Sequence, residues 1–277
     1  MHAQRLFPPG GSPGASAAPA PDSEDTCDRL AGDWQIWQLR RGHRFSADDM
    51  LTAWLAADVA PAAVDLLDLG AGIGSVGLMT LWRMGPAARL LMVEAQEVSH
   101  GLARKTVETN DLAGRVSLRL GDLRDPTIVT EAGRFDLVTG SPPYIPLGKG
   151  VVSPVAQRAA CRMELRGSII DYAQTAARAM SADGWFVSCF AAADPRGDAA
   201  YAAAGLHLHV RQEVVFRAGQ APMITLFAGR HEPGPLDRRE PLRIRDAAGV
   251  WTDAYLDLRE LMGTIVKRPF GGDKVST

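Results

Sequence analysis

From residue 64 onward the chain alternates short apolar runs with stretches of helical spacing, and this alternation limits the folds open to it. Runs at 66–69, 90–93, 116–120, 135–139 and 185–190 are strand-length, whereas 76–84, 98–110 and 169–180 carry helical character. Strands alternating with helices build a parallel sheet covered on both faces. After Gly205, two more strand-like runs, 207–216 and 223–228, are separated only by residues 217–222. A link that short makes a hairpin, so at least one closing strand must run antiparallel. The expected fold class is α/β.

Residues 8–21 contain only Pro, Gly, Ala and Ser. Such a stretch cannot bury enough apolar surface to offset its ordering entropy, so residues 1–25 read as a disordered tail. Residues 26–60 read as a strand-turn-helix cap. Its strand is 34–39, its polar turn is Arg40-Arg41-Gly42-His43, and Ser46 is the helix N-cap. Residues 61–232 form the main domain and 233–277 a C-terminal extension. A length of 277 residues suits one large domain, and 46% hydrophobic residues supply its core.

The formal net charge of −2 provides no overall positive field, so a nucleic acid must be gripped by a local patch. No apolar run reaches membrane-spanning length, and the N-terminus lacks a secretory signal pattern, which makes the cytoplasm the expected location. The three cysteines, Cys27, Cys161 and Cys189, form no Cys-x-x-Cys and argue against a disulfide framework or a zinc site. His207 and His209 share a strand face without a third ligand, so no metal is expected.

Ligands of open parallel sheets bind beyond the carboxyl ends of the strands. The first strand there runs into Gly70-Ala71-Gly72-Ile73-Gly74. Gly70, Gly72 and Gly74 permit tight turns and close approach of the backbone to a ligand. Glu94 ends the second strand, where a carboxylate can accept from both ribose hydroxyls. Asp122 follows the third, placed to receive an adenine amine. Asp68 is placed to orient the loop or to face a methionine ammonium. Gly72-Ile73-Gly74-Ser75-Val76-Gly77 also matches the dinucleotide fingerprint, which makes a nicotinamide cofactor the rival. That fingerprint starts two residues after Gly70, however, and leaves the next motif unexplained.

Ser141-Pro142-Pro143-Tyr144 follows the fourth strand. The paired prolines restrict φ and remove two backbone donors, leaving carbonyl acceptors. The Ser141 hydroxyl and the Pro142 carbonyl can then take the two hydrogens of a planar amine, with Pro143 fixing the turn and Tyr144 stacking on the amine-bearing group. Ser141 counts among the cofactor contacts as well. Together the two loops point to methyl transfer from S-adenosylmethionine to an exocyclic or amide nitrogen, driven by orientation and electrostatics rather than by a general base. Arg158, Arg162 and Arg166 recur every four residues, which predicts one helix face near Lys149 able to contact phosphates. Arg40, Arg41, His43 and Arg44 make a second basic patch. Arg238, Arg239, Arg243 and Arg245 read as ordinary surface charge.

These motifs resemble the class I S-adenosylmethionine-dependent methyltransferases, and more narrowly the bacterial tRNA(Val) anticodon-loop adenine-N6 methyltransferase family. The likeness runs from about residue 28 to about residue 260. It includes Gly42-His43-Arg44-Phe45-Ser46-Ala47-Asp48-Asp49-Met50-Leu51 before the first strand, residues 68–74, and Ser141-Pro142-Pro143-Tyr144 at the family's Asn-Pro-Pro-Tyr position. It continues through Arg162-Met163-Glu164-Leu165-Arg166-Gly167-Ser168, Pro241-Leu242-Arg243-Ile244 and Val250-Trp251-Thr252-Asp253. The resemblance implies a Rossmann-like fold with a mostly parallel seven-stranded sheet, S-adenosylmethionine as cofactor, and adenine N6 in tRNA as target. Ser141 replaces the family's usual Asn, and related DNA amino-methyltransferases that use Ser often act on cytosine. The release-factor glutamine methyltransferases share Asn-Pro-Pro-Tyr, which keeps a protein substrate as the alternative.

Overall fold

The computed structural model describes residues 24–264 apart from 131–133, 147 and 149–155. Its main sheet contains β3 (Asp65–Leu69), β4 (Arg89–Glu94), β5 (Val116–Leu120), β6 (Phe135–Gly140), β7 (Met180–Ala191), β8 (His207–Val215), β9 (Ile224–Arg230) and β10 (Asp237–Arg243). The order is β10-β8-β9-β7-β6-β3-β4-β5. Only β9 runs against its neighbours, so the predicted closing hairpin is β8–β9. The seven strands implied by the resemblance are present, and β10 adds an eighth by pairing in parallel with β8. β10 lies in the stretch read as a C-terminal extension. Its sequence, Asp-Arg-Arg-Glu-Pro-Leu-Arg, is mostly polar with Leu242 its one buried residue, the pattern of a wet edge strand that periodicity does not reveal.

Along each central strand successive side chains point to opposite faces. Leu66, Leu137 and Val187 join one apolar cluster, and Leu67, Val138 and Phe186 the other. Helices α1 (Ala47–Val59), α2 (Ser75–Arg83) and α3 (Glu97–Thr109) cover the first face. Helices α5 (Ile169–Ala179) and α6 (Arg196–Ala203) cover the second. The short α4 (Ala156–Arg162) and α7 (Asp253–Leu261) sit outside this pattern, and α7 packs on α1.

A separate hairpin, β1 (Asp25–Ala31) with β2 (Trp34–Leu39), is fastened to α3. The Trp37 N–H donates to Thr106 Oγ1 at 2.9 Å and its indole N–H to Thr109 Oγ1 at 2.8 Å. The predicted tail falls mostly outside the described residues (1–23 are not described), but Asp25 already pairs with Leu39 in this hairpin. The last part of the C-terminal extension, 265–277, is likewise outside them. Ser46 caps α1 as expected, its N–H donating to Asp49 Oδ2 at 2.8 Å. Among the described residues no helix is long and apolar enough to cross a membrane.

The connections place the site. From β3 the chain steps to β4 and β5 on one side, then returns to β6 on the other. The strand order therefore reverses between β3 and β6, and a crevice opens at the carboxyl ends of those two strands.

Candidate active site

A cavity of about 690 Å³ lies at this crevice, lined by the glycine turn after β3 and by the Ser141 turn after β6. Gly70 and Gly72 both have φ of 58°, and Gly74 has φ of 91° as the N-cap of α2. Those are left-handed conformations that favour glycine. A Cβ on Gly70 would collide with the Tyr172 hydroxyl, whereas one on Gly72 would meet nothing within 4 Å. Gly70 is thus small to pack and Gly72 is small toward open space, the bare strip of backbone that a ligand cradle requires.

Two carboxylates brace the structure around this turn. Asp68 is 1% exposed and accepts from the Gly77 N–H at 2.9 Å and from the Thr139 hydroxyl at 2.7 Å. Burial pushes its carboxyl up to about 7 against those two bonds. Those donors lie on α2 and β6, so Asp68 ties the helix after the glycine turn to the neighbouring strand. Glu94 accepts from the Gly72 N–H at 2.8 Å and from the Gln96 N–H at 2.6 Å, and burial raises its carboxyl too. Asp122 is placed differently. Its two oxygens hold the Arg124 guanidinium at 3.0 and 2.6 Å, which lowers its carboxyl, and Gly121 and Leu123 line the cavity instead.

The first turn of α1 adds Asp48 and Asp49 to the cavity wall. Asp49 is 5% exposed and its carboxyl rises well above the usual range, chiefly through burial and next through the Asp48 charge. Sequence reading placed both acids inside the resembling stretch but gave them no role. The available signal was an acidic pair directly after an N-cap, where carboxylates suit the helix dipole. Asp48, Asp49, Asp68 and Glu94 make an acidic floor that fits the sulfonium and ammonium of S-adenosylmethionine.

The transfer turn rests on a chain of hydrogen bonds. The Tyr144 hydroxyl donates to Asp48 Oδ2 at 3.3 Å and meets Cys189 Sγ at 3.0 Å, and Cys189 Sγ lies 3.4 Å from Ser141 Oγ. A carboxylate only accepts, so the hydroxyl proton of Tyr144 points at Asp48 and the thiol proton of Cys189 points at Tyr144. Ser141 then donates to the sulfur, and its oxygen lone pairs remain free to accept. Burial, joined by the Asp48 charge, pushes the Cys189 thiol up to about 12, so it keeps its proton. The Tyr144 ring meets Phe190 edge-on, with centroids 5.5 Å apart. Cys189 is a residue the sequence reading did not select, since nothing in a lone cysteine on a strand announces its neighbours.

Above the floor the cavity is rimmed by Arg40, Arg41, His43, Arg44, Arg158, Arg162 and Arg166, so both basic patches read from the sequence meet at one mouth. Burial lowers the His43 imidazole, and the Arg162 and Arg158 charges add to that while Asp48 opposes it. The single helix face expected for Arg158, Arg162 and Arg166 is corrected. Helix α4 stops at Arg162, because the Ile145 N–H takes the Arg162 carbonyl at 3.0 Å and the Glu164 N–H takes the Ile145 carbonyl. Arg166 reaches the mouth from the following turn. Arg44 is committed elsewhere, bonding Asp28 Oδ2 and Thr26 Oγ1, each at 2.9 Å, and so pinning β1. Lys149 lies outside the described residues. Among those residues no three His, Cys, Asp or Glu side chains are grouped to hold a metal.

Comparison with known proteins agrees with this geometry. Residues 45–180 match the family model described as "Methyltransferase small domain". A tRNA1(Val) (adenine(37)-N6)-methyltransferase of Cronobacter sakazakii is 29% identical over 215 residues, 76% of this chain and 84% of that protein. One from Pasteurella multocida is 28% identical over 189 residues, covering 68% and 76%. Among solved structures, an Agrobacterium tumefaciens protein described as a predicted O-methyltransferase aligns with a TM-score of 0.59 at 22% identity. It covers 78% of this chain and 97% of its own. That likeness concerns the fold.

Proposed function

We propose that this chain, which belongs to the class I S-adenosylmethionine-dependent methyltransferases, methylates the N6 amine of an adenine in tRNA. The observation that carries the reading is the polarity of one cavity: an acidic floor, a basic rim, and Ser141-Pro142-Pro143-Tyr144 between them. The names of the tRNA1(Val) (adenine(37)-N6)-methyltransferases it resembles support the choice of base and of RNA. A tRNA substrate makes the cytoplasm the place of action.

When bound, S-adenosylmethionine supplies a methyl group already activated by its sulfonium. Gly70, Gly72 and Gly74 shape the backbone that would hold it, and Asp68 and Glu94 hold that backbone in place. The remaining task is to present nitrogen. An exocyclic amine is conjugated with its ring, so its lone pair must be drawn out of the plane. Ser141 Oγ and the Pro142 carbonyl accept the two N–H groups and turn the lone pair toward the methyl group. Pro143 keeps the turn rigid, and Tyr144, fixed by Asp48 and Cys189, holds the base flat. Arg158, Arg162 and Arg166 meet the flanking phosphates. Arg44 supports that bank through its tie to Asp28. Lys149 and Asp122 stay in the proposed set on sequence grounds alone.

The test is methyl transfer from labelled S-adenosylmethionine to separate tRNA, DNA and protein pools, followed by digestion and mass spectrometry. The expected product is N6-methyladenosine from tRNA. Label in glutamine or in DNA cytosine overturns the reading.

A further inference from the structure

Four more arginines gather at the same end of the sheet, well away from the cavity. Strands β8 and β10 run parallel to β7, so the β8–β9 turn and the exit of β10 lie at the carboxyl edge with the transfer turn. Arg217 projects from that turn, Arg243 ends β10, Arg245 follows it, and Arg259 comes from α7. The backbone locks these pieces together. The Ala218 N–H donates to the Arg245 carbonyl at 2.9 Å, and the Ile244 N–H to the Val215 carbonyl at 2.9 Å.

Three of the four guanidiniums are also held. Arg259 stacks 4.2 Å and Arg245 5.4 Å from the centre of the Trp251 ring. Arg217 donates to the Ala247 carbonyl and Arg245 to the Gly249 carbonyl. None of the four makes an ion pair among the described residues. Two other arginines of the sheet are neutralised: Arg239 on β10 pairs with Asp58 and Asp237, and Arg211 on β8 with Asp198 and Glu213. Asp246, the acid within this turn, is engaged by the Val250 N–H. Positive charge without carboxylate partners, on preorganised planes, is suited to an anionic polymer.

Tyr255 of α7 is 6% exposed, and the charges of Arg259, Arg245 and Asp48 all act on its phenol. β10 lies four strands from β6, about 19 Å at the usual strand spacing. That is several phosphates from the target base.

We propose that Arg217, Arg243, Arg245 and Arg259 form a second docking shelf for the phosphate backbone of the RNA, remote from the base in the cavity. The proposal rests on the tRNA reading above. It revises the view of Arg243 and Arg245 as ordinary surface charge.

The experiment measures tRNA binding by anisotropy across a salt series, beside KM and kcat for tRNA and calorimetry with S-adenosylmethionine. The main variant is Arg243→Glu, whose side chain has no described partner. A triple Arg217→Gln, Arg243→Gln, Arg245→Gln variant is the second. Arg238→Glu, at the opposite end of β10, is the control. The shelf predicts about tenfold weaker tRNA binding for the triple variant. Its salt slope should fall by about one per lost contact. Cofactor affinity and kcat should stay unchanged, with wild-type behaviour for Arg238→Glu. Wild-type binding and salt slope in both shelf variants overturn the shelf while leaving the tRNA reading intact. An equal loss in Arg238→Glu also overturns it, since net charge alone would then be responsible. If the wild-type protein neither binds nor methylates tRNA, the functional reading fails and the shelf with it.

Discussion

The two banks of the cavity are built on opposite plans. On the floor, polar groups are already paired: Asp68 with Gly77 and Thr139, Glu94 with Gly72 and Gln96, and Asp49 with the Ser46 N–H. At the rim, Arg40, Arg41, Arg158, Arg162 and Arg166 form no ion pair among the described residues, and Arg44 alone is tied down. A small rigid cofactor rewards a pre-formed cradle, because the ordering cost is met in folding. A large polyanion rewards free charge that becomes paired only on binding. Damage to the floor should therefore appear in stability and cofactor affinity, and damage to the rim in substrate affinity alone.

The largest effect expected is at Gly70. Gly70→Ala forces a side chain into a left-handed conformation and into Tyr172. The two costs together come to about 2–5 kcal/mol of stability. Gly72→Ala has the same backbone penalty but an open direction for its Cβ, so it should lose only about 1–2 kcal/mol while cofactor binding weakens sharply. Denaturant melts and calorimetry on the two variants separate packing from cradle. Equal stability in both would break the distinction between the two glycines.

Asp68 gives the floor a pH signature. Its folded-state carboxyl titrates at about 7 against 3.8 for the free group, so between those values the folded protein holds a proton that the unfolded chain releases. Raising the pH through that window therefore weakens the fold. Asp68→Asn removes its share of that slope, to which the raised carboxyls of Asp49 and Glu94 also contribute. Relative to wild type, the variant should gain on the order of 3 kcal/mol between about pH 5 and pH 8. Denaturant melts at the two pH values check it, and parallel pH dependences would show that Asp68 is not the proton carrier.

The two banks also differed in what the sequence made legible. Gly70, Gly72, Gly74, Asp68 and Glu94 announce themselves because a strand running into glycine has few structural uses. The partner of Asp122 was not legible, since sequence spacing does not show that Arg124 two residues on holds its carboxylate. The arginines were found but wrongly assigned to one helix face, because the pairing of Ile145 with Met163 that ends α4 is a long-range event. Strands β1 and β10 escaped notice since both are mostly polar and lie at an edge, where side-chain alternation carries little signal.

Between the banks stands Tyr144. Tyr144→Ala should lower turnover by about 10- to 100-fold, from the loss of about 1–3 kcal/mol of base stacking, with cofactor affinity nearly intact. Ser141→Asn should remain active on adenine, because the Asn carbonyl replaces one acceptor by another. Steady-state kinetics with tRNA read both. Full turnover in Tyr144→Ala reduces the turn to a structural corner.

The smallest effect should come from Cys189, which does not line the cavity and bonds Ser141 and Tyr144 of the transfer turn, with Thr52 of α1 as a further partner. Cys189→Ala deletes the link between the two hydroxyls. Tyr144 keeps its bond to Asp48, so the ring stays in place, but the Ser141 hydroxyl loses the acceptor that turns its lone pairs outward. A net hydrogen bond is worth about 1 kcal/mol, so kcat should fall by roughly fivefold while KM for S-adenosylmethionine stays fixed. Cys189→Ser retains a donor and an acceptor and should recover most of the loss. A purely packing role predicts no such recovery. Alanine and serine are both smaller than cysteine, so both variants would lose melting temperature and kcat to a similar extent. The ratio of the two kcat values, measured beside their melting temperatures, decides whether the thiol positions the transfer turn or merely fills the space beneath it.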